Sequence, residues 1–287
     1  MKISARSVCS CSSILYIFIL FGGISQAQEQ GNMAKQSQNP LGTIISSPFE
    51  FTSYFGIGPS DATAYGLTWK PVYPVDLGNW NLINRFIVPA IYSEGQDADV
   101  LLDSSIEVGN ASIVDLVTGS ASGLADITYT AYLSPKESGS WIWGIGGALT
   151  MPTATENRYS SDKWAAGPAF VALTMPGNWV AGFLIQNVWS FAGESDAADV
   201  NKFLFQYFIN YNMDNGWYLS TTPIITANWE ADSDNQWTVP FGGGIGKLVR
   251  HGKLPVDYKL AAYWNADKPE HAPDWNLQFT VKFLFPK

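Results

Sequence analysis

Cysteine is nearly absent. The 287-residue chain has two, Cys9 and Cys11, both ahead of an apolar run near its start. Beyond that run no structural disulfide, thiolate metal site or cysteine nucleophile is available. Charge is also scarce, at 14% Asp, Glu, Lys and Arg, against about 25% in ordinary soluble domains. Basic residues are the scarcer sign, 16 against 25 acidic, and the net charge of -9 argues against nucleic acid as a partner. No segment after residue 27 has the ~20 uninterrupted apolar residues of a membrane-spanning helix. What the chain has in abundance is aromatic bulk: 12 Trp, 13 Tyr and 16 Phe. That richness excludes disorder, which needs low hydrophobicity with high net charge. It remains compatible with a bilayer, because a closed β-barrel satisfies its own backbone without any apolar helix.

The first residues look like an export signal. Lys2 and Arg6 precede the apolar run Ile14 to Phe21, which leads into Ser25-Gln26-Ala27. A positive start, a short apolar centre and small residues at a cleavage site describe a secretory signal peptide, removed after Ala27. Both cysteines precede the apolar centre, whereas an acylated cysteine would follow it. Residues 28–48 are polar and aperiodic at first, and are read as a flexible periplasmic leader. Residues 49–287 are read as the barrel.

From Glu50 onward the apolar pattern has period two. At the C-terminus Trp275, Leu277, Phe279, Val281, Phe283 and Phe285 alternate with Asn276, Gln278, Thr280, Lys282 and Leu284. The same reading gives twelve candidate strands, at roughly 50–58, 64–75, 81–92, 124–133, 141–151, 164–174, 179–190, 200–211, 217–229, 236–249, 255–264 and 274–285. Tight turns alternate with longer acidic connections, notably 93–123, 152–163, 191–199 and 265–273. Short periplasmic turns opposite long outer loops are the habit of outer-membrane barrels. The expected fold is therefore all-β: a transmembrane, antiparallel, up-and-down outer-membrane barrel of about 12 strands (10–14). Trp217 and Trp229 lie twelve residues apart on one face, which is about 28 Å of height for a strand tilted ~45°. That spacing suits aromatic girdles at opposite interfaces, with Trp237 and Trp275 as further members.

If aromatic faces meet lipid, ionisable residues must turn inward, since at the midplane they would cost ~2–4 kcal/mol outside. The inward set is Glu50, Lys70, Arg85, Asp126, Lys202, Gln206, Asp257, Lys259, Gln278 and Lys282, joined by the rings Tyr54, Phe208, Tyr218 and Tyr263. These residues either line a weakly selective, mildly basic path or form ion pairs that fill a narrow bore. Gly242-Gly243-Gly244-Ile245-Gly246-Lys247 lacks the Gly and Ser/Thr of a phosphate loop, having Phe241 and Leu248 instead. Its glycines are read as strand kinks or close backbone approaches. Two histidines, His251 in a turn and His271 in a loop beside Glu270 and Asp274, give little basis for a hydrolase at the membrane rim. No catalytic residue, metal site or cofactor is expected, and the chain is read as not an enzyme.

Several segments together carry a resemblance: Asn39-Pro40-Leu41 with Ser47-Pro48-Phe49, Trp80-Asn81-Leu82-Ile83-Asn84-Arg85, Gly123-Leu124-Ala125-Asp126 and Met151-Pro152-Thr153-Ala154-Thr155. Lys163-Trp164-Ala165-Ala166-Gly167-Pro168, Gln236-Trp237-Thr238-Val239-Pro240 and the final Phe283-Leu284-Phe285-Pro286-Lys287 complete the set. The chain resembles the outer-membrane barrels grouped as the "meta-pathway of phenol degradation" family, often labelled transporter and mislabelled neuromedin U. The resemblance runs from about residue 39 to the end. It implies a Gram-negative outer membrane and porin-like uptake of small solutes, aromatic ones among them, and it brings no established functional residue. Ala125 departs from the Gly-Leu-Gly-Asp pattern of the family. The partners expected are outer-membrane lipid, lipopolysaccharide, the barrel assembly machinery and small solutes. The alternative is a structural or surface-interaction barrel without transport.

Overall fold

A computed structural model describes residues 30–59, 61–93, 107–108, 111–112 and 121–286. The expected signal peptide, and most of the acidic connection 93–123, lie outside these residues. Twelve strands close into one antiparallel barrel. They are β1 (Ile45–Ile57), β2 (Ala62–Trp69 and Val72–Asp76), β3 (Trp80–Ser93) and β4 (Ala121–Leu124 and Ile127–Pro135). Next come β5 (Trp141–Met151), β6 (Lys163–Thr174), β7 (Trp179–Gly193) and β8 (Asn201–Asn212). The circuit is completed by β9 (Trp217–Thr221 and Ile224–Asn228), β10 (Trp237–His251), β11 (Leu254–Asp267) and β12 (Trp275–Phe285). Each strand pairs with its sequence neighbours, and β1 returns to β12 with Ile45 opposite Phe285 and Phe55 opposite Trp275.

Three strands are interrupted, and two of the breaks have a clear cause. Pro71 and Pro223 donate no backbone hydrogen bond, so β2 and β9 break beside Lys70 and Thr222. The bend at Lys70 keeps its partners: Lys70 N donates to Pro48 O and Phe86 N to Pro71 O.

Alternation sorts the faces as the residue types require. In β12, Trp275, Leu277 and Phe279 are exposed, while Asn276 and Thr280 are buried. Rings continue around the outside in cross-strand pairs: Phe51 on Phe279, Phe55 on Trp275, Phe86 on Tyr129 and Trp179 on Tyr211. Such an outer surface suits hydrocarbon, as the barrel reading expects.

The interior is not uniformly polar. On the side of β3 to β8, Ile83, Tyr132, Val171, Leu173, Val180 and Phe208 pack into an apolar cluster with Leu41. Polar residues, among them Glu50, Lys70 and Lys259, line the opposite wall.

The stretch expected as a flexible leader is a correction. Residues 30–37 are helical and fold into the turn end of the barrel. Ala34 and Leu41 are buried. Lys35 Nζ donates to the carbonyls of Met175 (2.7 Å) and Gly177 (2.6 Å) in the β6–β7 turn. The side-chain amides of Gln38 and Asn212 bond reciprocally at 2.9 and 3.0 Å, and Lys282 Nζ donates to Ser37 O at 3.0 Å. The polar composition that suggests disorder in isolation is what satisfies polar groups in the barrel mouth. β1 also begins at Ile45, inside the span assigned to the leader.

Candidate functional site

Among the described residues, two cavities are found in the lumen. The lower, about 210 Å³, has the N-terminal segment as its floor, from Gln36 to Gly42. The upper, about 190 Å³, reaches towards the loop end and touches Pro273, Asn265 and Thr238. Seven residues line both: Glu50, Lys70, Arg85, Leu184, Gln206, Thr222 and Lys259. They come from β1, the bend of β2, β3, β7, β8, the break of β9 and β11. Residues this far apart in sequence form a waist across the bore, because alternation points each of them inward and strand register brings them to a similar height.

Charge at the waist is unevenly compensated. Lys70 Nζ lies 2.5 Å from Glu50 Oε1, both mostly shielded from solvent. Lys259 Nζ donates to Thr222 Oγ1 at 3.3 Å. Among the described residues, no hydrogen bond or ion pair engages the Arg85 guanidinium. Below the waist Lys282 Nζ faces Asp257 Oδ2 at 3.4 Å, while Tyr218 Oη donates to Asp257 Oδ1 at 2.8 Å.

The sequence-derived set divides accordingly. Glu50, Lys70, Arg85, Gln206 and Lys259 meet at the waist, Asp257 and Lys282 line the lower cavity, and Gln278 lines the upper one. Tyr54 and Tyr263 face the upper cavity, and Phe208 and Tyr218 face the lower. Lys202 lines neither cavity, although it engages another group. Asp126 is a correction. Its carboxylate is buried and accepts from Thr153 N, Ala154 N, Ser161 N and Ser161 Oγ, at 3.0, 3.2, 2.8 and 2.8 Å. It ties the β5–β6 loop to the barrel from within the break in β4, between Leu124 and Ile127.

That loop helps to cover the loop end. Tyr159 is fully buried and packs with Ile57, Ile91, Ala125 and Ala272. The sequence offered no signal for this cap or for the helical floor. Leu184 and Thr222 were also missed. Leu184 stands on a strand apolar on both faces, whereas the Pro223 break marked Thr222 for attention.

Tryptophans form two outer bands. Trp80, Trp141, Trp179 and Trp217 are exposed at the turn end, with Lys247 Nζ over the Trp217 ring at 4.6 Å. Trp164, Trp189, Trp229 and Trp275 are exposed at the loop end. Trp237 is less exposed and meets Trp229 edge-on at 5.3 Å. His251 Nε2 lies 3.2 Å from Tyr258 Oη at the turn end, and His271 reaches Glu270 at 3.9 Å in a loop. Among the described residues no three His, Cys, Asp or Glu side chains converge as a metal site.

Comparison with known proteins bears on this geometry. A family model described as "Putative MetA-pathway of phenol degradation" matches residues 58–252. No curated protein matches the chain. Among solved structures, the COG4313 outer membrane channel from Pseudomonas putida F1 is similar, with 17% identity, 84% of this chain and 94% of that chain covered, and a TM-score of 0.59. The NanC porin is similar at 9% identity, 85% and 100% coverage, and a TM-score of 0.52. Likeness at these identities concerns the outer-membrane barrel fold.

Proposed function

Since the chain belongs to the family of the MetA-pathway of phenol degradation, we propose that it is an outer-membrane channel for passive uptake of small solutes, aromatic ones included. The observation that carries this reading is the pair of cavities on either side of a mostly polar waist inside a closed barrel. A barrel serving only as a surface scaffold needs no such space. Rings at Tyr54, Phe208, Tyr218 and Tyr263 give the walls apolar stretches between the charged groups. The proposal assigns no catalytic step. It places the chain in outer-membrane lipid after removal of residues 1–27, with its loops towards lipopolysaccharide and the assembly machinery as the route of insertion.

A second reading is favoured by the helical floor and the Tyr159 cap, which cover part of each end. In it the barrel is structural or contacts other surface material. Planar-bilayer recording separates the two readings. The channel reading expects stepwise conductance from the full chain or from a variant lacking residues 30–42. Silence from both, with each folded, would leave the structural reading.

A further inference from the structure

Among the described residues, the lining of the lumen carries more positive charge than its carboxylates balance. At the waist three cations, Lys70, Arg85 and Lys259, surround one carboxylate, Glu50, and all three lie close enough to interact with it electrostatically. Glu50 already has its direct partner in Lys70 at 2.5 Å. The other inward carboxylate nearby, Asp257, is occupied by Lys282 and by the Tyr218 hydroxyl. Among the described residues two cations therefore remain without a carboxylate in direct contact: Arg85, which has no hydrogen-bond acceptor, and Lys259, which has only a hydroxyl at 3.3 Å.

A planar guanidinium and an ammonium that line the same two cavities have a definite chemical complement. A carboxylate accepts two parallel hydrogen bonds from arginine, and the pairing strengthens away from bulk water. The surroundings specify what else the ligand carries. Leu184 closes one side of the waist, and the upper cavity adds Ile87, Leu204, Ile224, Tyr54 and Tyr263. A cavity of about 150 Å³ lined by apolar side chains takes up benzene, and the upper cavity has about 190 Å³. A ring fits against these walls with its acid group at the waist.

We propose that Arg85 and Lys259 form a binding site for small apolar carboxylates, single-ring aromatic acids above all, at the waist of the lumen. The proposal deepens the channel reading by naming a solute class, and rests on it for how the ligand reaches the site. Benzoate, with benzamide as its neutral counterpart, is the probe, titrated calorimetrically into the detergent-solubilised full chain. Expected is saturable binding of one benzoate per chain, at least tenfold tighter than benzamide, competed by acetate and weakened by salt. The Arg85→Gln, Lys259→Gln double variant should lose at least tenfold in affinity, whereas Lys202→Gln should change it less than threefold. Equal binding of benzoate and benzamide would overturn the proposal. So would equal binding of chloride or phosphate at matched ionic strength, or an unchanged double variant. Because the unaltered protein alone distinguishes acid from amide, misfolding of the double variant would not shield the proposal. Binding is read without passage, so benzoate bound by a protein that never conducts would uphold the site and count against the channel.

Discussion

Single side chains in this barrel matter through the space they leave as much as through what they contact. A Cβ on Gly246 would come within 2.1 Å of the Tyr218 ring. The missing side chain lets that ring lie across β10 and donate to Asp257 at 2.8 Å. Gly246→Ala is therefore expected to destabilise the barrel by about 1–3 kcal/mol through overpacking, read as a lower urea midpoint in lipid vesicles. Gly147→Ala is the control, since its Cβ would meet only Gly167 O at an ordinary 3.5 Å. It should be neutral or slightly stabilising, because the unfolded chain loses freedom. Asp126 acts in the opposite way, by what it accepts. Asp126→Ala strands the amides of Thr153, Ala154 and Ser161, a local cost of about 1–3 kcal/mol. Limited proteolysis should then cut within 153–162 while the barrel core resists. An uncut loop in the variant would show that Tyr159 packing alone holds the cap.

At the scale of elements, the helix over residues 30–37 is the piece most open to manipulation. It adds no strand, and a few contacts hold it: Lys35 on the β6–β7 turn, Gln38 on Asn212 and Lys282 on Ser37. Removing residues 30–42 deletes the floor of the lower cavity and leaves all twelve strands. Conductance of that variant should exceed that of the full chain several-fold. Equal conductance would mean that the loop-end cap or the waist, not the helix, limits the path. The strands were the part most legible in sequence. The strand expected at 141–151 spans Trp141–Met151, because each strand must turn one face to lipid and the other to the lumen. The helix was not legible, since its polar residues find partners only in a mouth assembled from β6, β8 and β12. Strands β6 and β7 were half legible: with Phe170 and Val171 both apolar, no pattern tells lipid from core. Four waist residues, Glu50, Lys70, Arg85 and Lys259, could be named from sequence because a charge on an aromatic-faced strand has one place to go, and Gln206 followed from alternation alone. Their convergence at one height depends on register, which no single strand encodes.

The whole molecule is a surface turned inside out, and that inversion is itself open to measurement. Along β12, Phe279 sits opposite Phe51 of β1 and Leu260 of β11, in the middle of an outward row. Its neighbour Gln278 points into the upper cavity. The aromatic bands lie at either end of these strands, and eleven residues from Trp275 to Phe285 span about 25 Å at the tilt of such barrels. Phe279 therefore falls near the bilayer midplane. There an outward arginine costs about 2–4 kcal/mol, a thirtyfold to nearly thousandfold change in the folding equilibrium. Gln278→Arg places the same charge one residue away, in a polar lumen where the side chain keeps hydrogen-bonding partners. Phe279→Arg should accordingly lower the urea midpoint in vesicles far more than Gln278→Arg, which should stay within about 1 kcal/mol of the unaltered protein. In detergent micelles thin enough to deform around the charge, the gap between the two variants should shrink. If Gln278→Arg were the costlier change in vesicles, the rings would face a closed core and the charges the surroundings, and the lumen, its waist and any path through it would have to be abandoned together.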